Sequence, residues 1–396
     1  MAASAMASKG KRIVILSSIE GLADSLASAA AAHDLPLSFH TASTATGALQ
    51  HTTEAPVAGK SPVPDQGALC EGTIAVVDPP LIPHAYSLMP HLQWVQSTWA
   101  GVDGLFKSLA ASVPRDCDSG DAAKQAAIKA QHALAAAAAG EAPPPFTLTR
   151  CGGQFGPLMA EYVTAHTTAW VRQFAAGDTA QRSATWVADS LRQLVPLSAL
   201  TLGVLGGGGG IAKSVLAASK LGFGMRTVAY VSSVRDIANA DVTTDSLDSL
   251  FGQCDVVVNL LPSTLQTRGL LDGGVFAACE ARQKFNTERR LPEHLIRPLF
   301  INAGRGDVVS EESVVSALDC GWLGKAVLDV FQTEPLPESS ALWKHPKVTI
   351  TPHVAAVSLP QDVAAAFCTN AAVFLESEHE SSEQNMKWVV DWQKGY

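Results

Sequence analysis

The sequence has little basic charge, few cysteines and no long hydrophobic run, and each shortage argues against a class of protein. Its 396 residues include 28 Lys and Arg against 37 Asp and Glu, which gives a net charge of −9. Nucleic-acid binding needs clustered positive charge, so this balance argues against it. No apolar run is long enough to span a bilayer. Hydrophobic residues still make up 47% of the chain, enough for the cores of two ordinary domains.

The cysteines are odd in number, widely spaced and without a C-x-x-C pair. The seven are Cys70, Cys117, Cys151, Cys254, Cys279, Cys320 and Cys368. This pattern argues against a disulfide scaffold and against a zinc site, so no metal is expected. We predict reduced thiols, most of them core residues, and a cytoplasmic location. The N-terminal segment lacks the apolar centre of a signal peptide, although its small, acid-free composition leaves organelle import open.

Short apolar segments alternate with helical ones in the first part of the chain. We predict strands at Lys11–Ser17, Gly72–Asp78 and Leu92–Ser97, with an Ala-rich helix at Gly21–His33. Strands separated by helices are typical of a parallel α/β sheet. Ala123–Pro145 is a low-complexity stretch that we interpret as a surface insertion.

The second part repeats this alternation after a helix that begins at Gly156. The predicted strands are Thr201–Leu205, Arg226–Val231, Asp255–Leu261, Leu299–Asn302, Gly324–Asp329 and Val348–Thr351. Continuous apolar strands indicate a parallel sheet covered on both faces. The polar stretch Ala277–Pro298 is interpreted as a surface loop or short helix. The final helix, Leu359–Glu376, is expected to return to the first domain.

Five consecutive glycines, Gly206–Gly210, join a strand to a helix. Glycine permits a tight turn and a close approach to a ligand, and the helix N-terminus offers free N–H groups to a diphosphate. With a second strand following, this context predicts a dinucleotide-binding turn. Two registers are open, one starting at Gly206 and one that reads Gly207-x-Gly209-x-x-Ala212. We prefer the second, which places Gly207, Gly209, Gly210 and Ile211 against the cofactor.

The end of the second strand bears on the choice of cofactor. Folds that prefer NAD place an acidic residue there for the ribose hydroxyls, but this chain has Val231. Ser232, Ser233 and Arg235 follow, and hydroxyls and a guanidinium are suited to a 2′-phosphate. We therefore predict a preference for NADPH, with NADH as a possible alternative.

Three charged side chains follow later strands and are expected at the same sheet edge as the glycines. They are Arg305, Glu334 and His353. Arginine offers a fork of donors that matches a carboxylate, and histidine transfers protons near neutral pH. A carboxylate on the far ring nitrogen would fix the tautomer of the histidine. Such a set can move a proton at a carbonyl while a nicotinamide supplies hydride.

These motifs resemble the D-isomer-specific 2-hydroxyacid dehydrogenase family. Asn302-Ala-Gly-Arg-Gly-Asp-Val-Val309 resembles its arginine segment, and Leu328-Asp-Val-Phe-Gln-Thr-Glu-Pro-Leu-Pro337 its glutamate segment. Thr351-Pro-His-Val-Ala355 resembles its histidine segment, and Asn259–Leu270 its cofactor-domain signature. Ser97–Asp103 and Val390–Tyr396 are similar to the glyoxylate/hydroxypyruvate reductase A branch.

The resemblance implies two domains with an active site in the cleft between them. Residues 1–155 with 357–396 would form a flavodoxin-like substrate domain, and residues 156–356 a Rossmann domain. It implies that Arg305 orients the substrate, that His353 is the general acid with Glu334 as its partner, and that most members are homodimers. Substrate contacts would come from Trp99, Ala100, Gly101 and Val102. Further cofactor contacts would come from Leu261, Pro262, Thr267, Asn302, Ala303, Gly304, Asp329 and Ala355.

The predicted function is the reduction of a small 2-oxoacid to a 2-hydroxyacid by an NAD(P)-dependent enzyme. A dinucleotide-sensing co-repressor or scaffold of the same fold stays open, because such proteins keep the same motifs. A formate or phosphoglycerate dehydrogenase is a third possibility. We expect no regulatory domain after Tyr396, which weakens the phosphoglycerate version.

Overall fold

The computed structural model describes residues 11–41, 71–111, 122–376 and 385–395. The chain divides into two compact units, residues 1–152 with 358–396, and residues 153–357. Helix Pro360–Glu376 belongs to the first unit, where it packs against helix Leu22–Ala32. The return of the final helix to the first unit is therefore confirmed. The roles assigned to the two units stay predictions.

A five-stranded parallel sheet forms the first unit, in the order β2-β1-β3-β4-β5. Its strands are β1 (Lys11–Leu16), β2 (Leu37–Thr41), β3 (Ile74–Val77), β4 (Trp94–Ser97) and β5 (Thr147–Thr149). Its helices are α1 (Leu22–Ala32), α2 (Ile82–Leu88), α3 (Asp103–Ala111), α4 (Ala122–Ala138) and α12 (Pro360–Glu376). Helix α12 stacks Phe367 on the Trp94 ring at 5.1 Å between centroids. Apolar side chains thus cover the sheet as a parallel sheet requires.

The stretch predicted as a surface insertion is an integral part of this unit. Helix α4 spans Ala122–Ala138. Its Leu134 and Ala137 side chains are buried in the same core as Ile82, and Ala130 is buried as well. The prediction for Ala123–Pro145 was wrong because low complexity hides the spacing of these three residues. They recur at intervals of four and three, which puts them on one helix face.

A seven-stranded parallel sheet forms the second unit, in the order β12-β11-β10-β9-β6-β7-β8. Its strands are β6 (Thr201–Leu205), β7 (Arg226–Tyr230), β8 (Val242–Thr244), β9 (Val256–Asn259), β10 (Leu299–Asn302), β11 (Lys325–Leu328) and β12 (Val348–Ile350). Its helices are α5 (Phe155–Val171), α6 (Phe174–Arg182), α7 (Ala188–Leu191), α8 (Gly210–Ala217), α9 (Leu247–Gln253), α10 (Cys279–Glu288) and α11 (Glu311–Asp319). Successive residues enter opposite cores, Phe300 on one face and Ile301 on the other. The predicted parallel sheets are confirmed.

The polar stretch at Ala277–Pro298 contains a short helix, as predicted, but it is not surface decoration. Arg282 of α10 is buried against the fully buried Asp255, with Nε donating to Oδ1 over 2.8 Å. The same carboxylate accepts from the Asn286 amide and from the Thr201 N–H, each at 2.8 Å. A buried charge is tolerated only when it is paired, and here the partners of Asp255 come from different elements. The cluster therefore fastens α10 to the amino ends of β6 and β9.

The described cysteines are free thiols. Cys151, Cys254, Cys279 and Cys368 are buried and Cys320 is exposed. The other two, Cys70 and Cys117, lie outside the described residues. Across the part of the chain that the structure describes, no helix has the length and hydrophobicity needed to cross a membrane.

Candidate active site

Glu334 and His353 form a hydrogen-bonded pair beyond the carboxyl ends of β11 and β12. Nδ1 of His353 lies 2.7 Å from Oε2 of Glu334, and Oε1 of Glu334 accepts the Phe331 N–H at 2.8 Å. The histidine side chain is 52% exposed, and its other ring nitrogen does not take part in the bond to Glu334. This arrangement leaves one nitrogen for proton transfer while the other is fixed on the carboxylate.

The charges of this site shift both pKa values in the direction that favours an ion pair. Burial disfavours ionised Glu334, but hydrogen bonds from His353 and Phe331, with the charges of His353 and Arg305, hold its pKa below the ordinary value. The hydrogen bond that His353 donates to Glu334 raises the pKa of His353, against the opposing effects of burial and of Arg305. The charges of Glu334 and Asp329 add to that rise. The three predicted catalytic side chains therefore interact electrostatically within one site.

The turn that carries His353 is held by a buried aspartate. His353 has φ of +55°, a left-handed conformation that costs a residue with a side chain about 1–2 kcal/mol. Asp329, which is 2% exposed, accepts from the N–H groups of Val354 (2.9 Å) and Ala355 (3.0 Å). Its backbone carbonyl accepts the His353 N–H at 2.9 Å. Asp329 thus keeps the histidine in its strained turn.

Arg305 lies between two glycines that the packing requires. A Cβ atom on Gly304 would lie 2.8 Å from the Leu261 carbonyl oxygen, and one on Gly306 would lie 1.9 Å from the Phe331 carbonyl carbon. Neither position has room for a side chain. The close contact at Gly306 joins the Arg305 turn to the loop that contains both Phe331 and Glu334. Nη1 of Arg305 donates to the Gly304 carbonyl at 2.8 Å.

Two buried asparagines brace the neighbouring strand ends. Nδ2 of Asn259 donates to Oδ1 of Asn302 at 2.9 Å, and Oδ1 of Asn259 accepts the Leu261 N–H at 3.1 Å. The Asn302 oxygen also lies 3.4 Å from the Gly304 N–H. This pair fixes the turns after β9 and β10, so the Asn302 side chain is engaged within the protein.

The glycine-rich turn has the shape of a diphosphate cradle. Gly206 has φ of +82°, and a Cβ atom on Gly207 would lie 2.6 Å from the Ala229 Cβ. Gly209 is the N-cap of α8, and a Cβ on Gly210 would meet nothing within 4 Å. The first turn of a helix has N–H groups without intrahelical partners, and such groups can bind an anion.

Arg235 lies over this turn. A Cβ atom on Gly208 would be 2.5 Å from Nη2 of Arg235, and Nη1 donates to the Ser233 carbonyl at 3.2 Å. Ser232 and Ser233 are exposed in the loop after β7. A guanidinium thus stands beside the glycines, and the same loop carries two exposed serines, which are groups suited to an additional phosphate.

The other predicted cofactor residues follow the same sheet edge. Leu261, Pro262 and Thr267 lie in the loop after β9, Ala303 follows β10, and Ala355 follows β12. In the described ranges, no group of three or more His, Cys, Asp or Glu side chains is arranged to hold a metal ion. The cofactor contacts of these residues stay predictions.

The predicted substrate loop, Trp99 to Val102, follows β4 in the first unit. The start of this loop is held by the buried carboxylate of Asp78, which accepts a hydrogen bond from the Thr98 hydroxyl. Asp78 is 4% exposed and also accepts the Ser17 hydroxyl (2.7 Å) and the Ser18 N–H (2.8 Å). It therefore fastens the loops after β1 and β4 to the end of β3.

Sequence reasoning did not single out Asp78, the backbone of Phe331 or Tyr162. The phenol oxygen of Tyr162 lies 2.7 Å from Oγ1 of Thr351, close to the His353 turn. Asp78 carries the same signal as Asp329, an acidic residue directly after a buried strand. The signal for Tyr162 was a phenol on the apolar side of a helix, which needs a hydrogen-bond partner when it is buried. The Phe331 contribution comes from its backbone and leaves no trace in the sequence.

Comparison with known proteins agrees with this geometry. Residues 164–355 match the NAD-binding domain of the D-isomer specific 2-hydroxyacid dehydrogenases. The glyoxylate/hydroxypyruvate reductase A of Serratia proteamaculans is 35% identical over 248 residues, which cover 60% of this chain and 68% of that protein.

Solved structures agree over nearly the whole chain. A D-isomer specific 2-hydroxyacid dehydrogenase family protein of Aeromonas salmonicida has a TM-score of 0.69 at 28% identity, covering 96% of this chain and 99% of its own. A probable 2-hydroxyacid dehydrogenase of Rhizobium etli, in complex with NADP, HEPES and L(+)-tartaric acid, has a TM-score of 0.65 at 25% identity, covering 98% and 100%. The chain therefore belongs to the D-isomer specific 2-hydroxyacid dehydrogenase family and is an NAD(P)-dependent oxidoreductase.

Proposed function

We propose that this enzyme reduces small 2-oxoacids of the glyoxylate and hydroxypyruvate type to 2-hydroxyacids, with NADPH as its preferred cofactor. The observation that carries the proposal is the 2.7 Å pair of Glu334 and His353, with the Arg305 turn packed against the Glu334 loop through Gly306. The 35% identity to a glyoxylate/hydroxypyruvate reductase A supports the choice of substrate class.

Arg305 binds the carboxylate of the substrate and orients its carbonyl. A guanidinium presents a planar fork of donors that matches two carboxylate oxygens. The backbone of Trp99, Ala100, Gly101 and Val102 remains our prediction for additional carboxylate contacts. An arginine near the carbonyl oxygen also stabilises the negative charge that develops there during reduction.

His353 donates the proton that the carbonyl oxygen needs. The other ring nitrogen releases its proton to the developing alkoxide, while Nδ1 stays on Glu334 and keeps the ring oriented. The raised pKa of His353 keeps the imidazolium populated, so the donor is charged before reaction. After proton transfer, the Glu334 carboxylate favours the return of a proton to the ring, because it stabilises the imidazolium.

The glycine-rich turn would hold the dinucleotide. Gly207, Gly209, Gly210 and Ile211 would contact the diphosphate, while Ser232, Ser233 and Arg235 would bind the 2′-phosphate. When bound, the cofactor supplies the hydride to the carbonyl carbon. The position of Arg235 over Gly208 supports NADPH over NADH, and the related Rhizobium etli protein holds NADP.

The function is tested by following cofactor absorbance with glyoxylate, hydroxypyruvate, pyruvate and phenylpyruvate, each with NADH and NADPH. We expect the highest kcat/KM for glyoxylate or hydroxypyruvate with NADPH. Arg305→Ala is the matching negative control and should lower this value about 100- to 1,000-fold while NADPH still binds. Failure of all four acids, or equal activity of Arg305→Ala, contradicts the proposal.

The choice of cofactor is tested at Arg235. Loss of a charge-assisted hydrogen bond in Arg235→Ala should raise KM for NADPH by about 10-fold or more and leave KM for NADH within about twofold. Arg226→Ala is the matched control because it removes the same charge at the opposite end of β7, where the side chain is also exposed. A wild-type preference for NADH, or equal losses with both cofactors, contradicts the assignment.

We also infer that the chain assembles as a homodimer through residues 174–194. Helices α6 and α7 contain no buried residue, and Phe174 and Trp186 are 55% and 93% exposed. Leu194 is also exposed in the same segment. Exposed apolar side chains concentrated in one segment are typical of an association surface, and a second copy is the partner that the family resemblance favours.

A further inference from the structure

A chain of hydroxyl groups leads from the His353 turn to helix α5. Oγ1 of Thr351 lies 2.6 Å from Oδ1 of Asp329, and the phenol oxygen of Tyr162 lies 2.7 Å from the same Thr351 oxygen. Asp329 in turn accepts the N–H groups of the two residues after His353. Tyr162 is therefore connected to the histidine turn through two intermediates.

The direction of each hydrogen bond follows from the number of hydrogens available. The Asp329 carboxylate accepts, and Thr351 has a single hydroxyl hydrogen, which goes to that carboxylate. The hydrogen between Thr351 and Tyr162 must then come from the phenol. Burial raises the pKa of Tyr162 to about 12, with the Asp329 charge adding to the rise and the Thr351 hydrogen bond opposing it. Tyr162 therefore keeps the hydrogen that it donates.

This chain of hydroxyl groups matters because the His353 turn, which it supports, is strained. His353 has a left-handed backbone, and such conformations persist only where the surroundings hold them. Oδ1 of Asp329 receives both the Thr351 hydroxyl and the Val354 N–H, so the position of Thr351 sets the position of the carboxylate. A change at Tyr162 or Thr351 thus reaches the ring of His353 through the backbone.

We propose that Tyr162 and Thr351 are positioning residues for His353, which hold Asp329 where it fixes the histidine ring on Glu334. The proposal rests on the proposed function, in which His353 is the proton donor. It assigns to α5 a role in proton transfer, although α5 lies outside the strand ends that carry the catalytic side chains.

The test compares Tyr162→Phe, Thr351→Val and Thr351→Ser with Tyr86→Phe, which removes a partly buried phenol that packs against the core of the first unit. We expect Tyr162→Phe to lower kcat about 10-fold, as loss of one hydrogen bond in a strained site allows, and Thr351→Val to lower it further. Thr351→Ser keeps the hydroxyl and should retain kcat within about twofold. Tyr86→Phe should match the wild type.

The pH profile separates positioning from a general loss of structure. The groups whose charges act on His353 are Glu334, Arg305 and Asp329, and none is altered in these variants. Weaker contact with Glu334 lowers the histidine pKa, so the alkaline fall of kcat/KM should move to lower pH in Tyr162→Phe and stay in place in Thr351→Ser. An unchanged profile and kcat in a folded Tyr162→Phe protein overturn the proposal.

A direct measurement keeps this inference separate from the proposed function. The pKa of the His353 ring can be followed by NMR with labelled histidine, assigned by comparison with His353→Gln. A lower value in Tyr162→Phe than in the wild type supports positioning even if none of the four acids is reduced. Equal values overturn it even if the enzyme is an active 2-oxoacid reductase.

Discussion

The charge state of His353 determines how the enzyme responds to pH. Its pKa is raised in the folded protein, chiefly by the hydrogen bond that the ring donates to Glu334, so the imidazolium persists to higher pH than in a free histidine. Reduction needs this proton, and activity should fall as pH rises through the folded pKa of His353. Glu334→Gln removes both the ionic hydrogen bond and the charge. We therefore expect the fall of kcat/KM to occur at lower pH in this variant.

Glu338→Gln is the matched control for this experiment. Glu338 is an exposed glutamate shortly after Glu334, and the substitution makes the same change in charge. Its profile should superimpose on that of the wild type. If Glu334→Gln also superimposes on the wild type, the pairing does not control the protonation of His353.

The identities of the charged residues at the site were predictable, and their supports were not. Glu334 and His353 were found because each follows a recognisable strand, and parallel strands end at one edge. Their 2.7 Å contact agrees with that reasoning. Tyr162 and Thr351 are 189 positions apart in the chain, so only the fold reveals their hydrogen bond. The hydrogen bonds that the Asp329 carboxylate accepts from the His353 turn likewise depend on the fold, which brings the ends of β11 and β12 together.

Strands were easier to predict than the helices that cover them. The predicted strands are short apolar runs, and their ends differ from the observed ends by a few residues, as for Asp255–Leu261 against Val256–Asn259. Three strands, β2, β5 and β8, were not predicted. Helix α4 was missed because alanine dominates its sequence and gives a weak contrast between its faces. The glycine-rich turn was predicted as a feature, and its register stays a prediction, although the N-cap at Gly209 and the buried Ala212 favour the second reading.

Helix α4 should contribute measurably to the stability of the first unit. Leu134 is fully buried in the core that also contains Leu148 and Trp392. Leu134→Ala should lower the free energy of unfolding by about 2–5 kcal/mol, because the lost side chain leaves a cavity. Urea denaturation followed by circular dichroism measures the change. His132→Ala alters an exposed residue of the same helix and should cost less than about 0.5 kcal/mol. Equal effects of the two substitutions contradict the packing of this helix.

The properties of the whole molecule are the least accessible from one sequence. Composition argued against a nucleic-acid partner and predicted a cytoplasmic location, and both stay predictions. The family followed from several motifs in a fixed order, which is a property of the chain rather than of a single residue. Assembly is different, because it depends on a surface that a single copy leaves exposed.

We expect the chain to self-associate through residues 174–194. The wild type should sediment with twice the mass of the chain at micromolar concentration. Trp186→Ala combined with Phe174→Ala removes two large exposed apolar side chains, so the dimer should dissociate at higher protein concentration. Trp343→Ala is the control, because that side chain is 51% exposed and lies outside the segment. A monomeric wild type, or equal weakening by the control, contradicts the proposed surface, since exposure of an aromatic side chain would then not mark the contact.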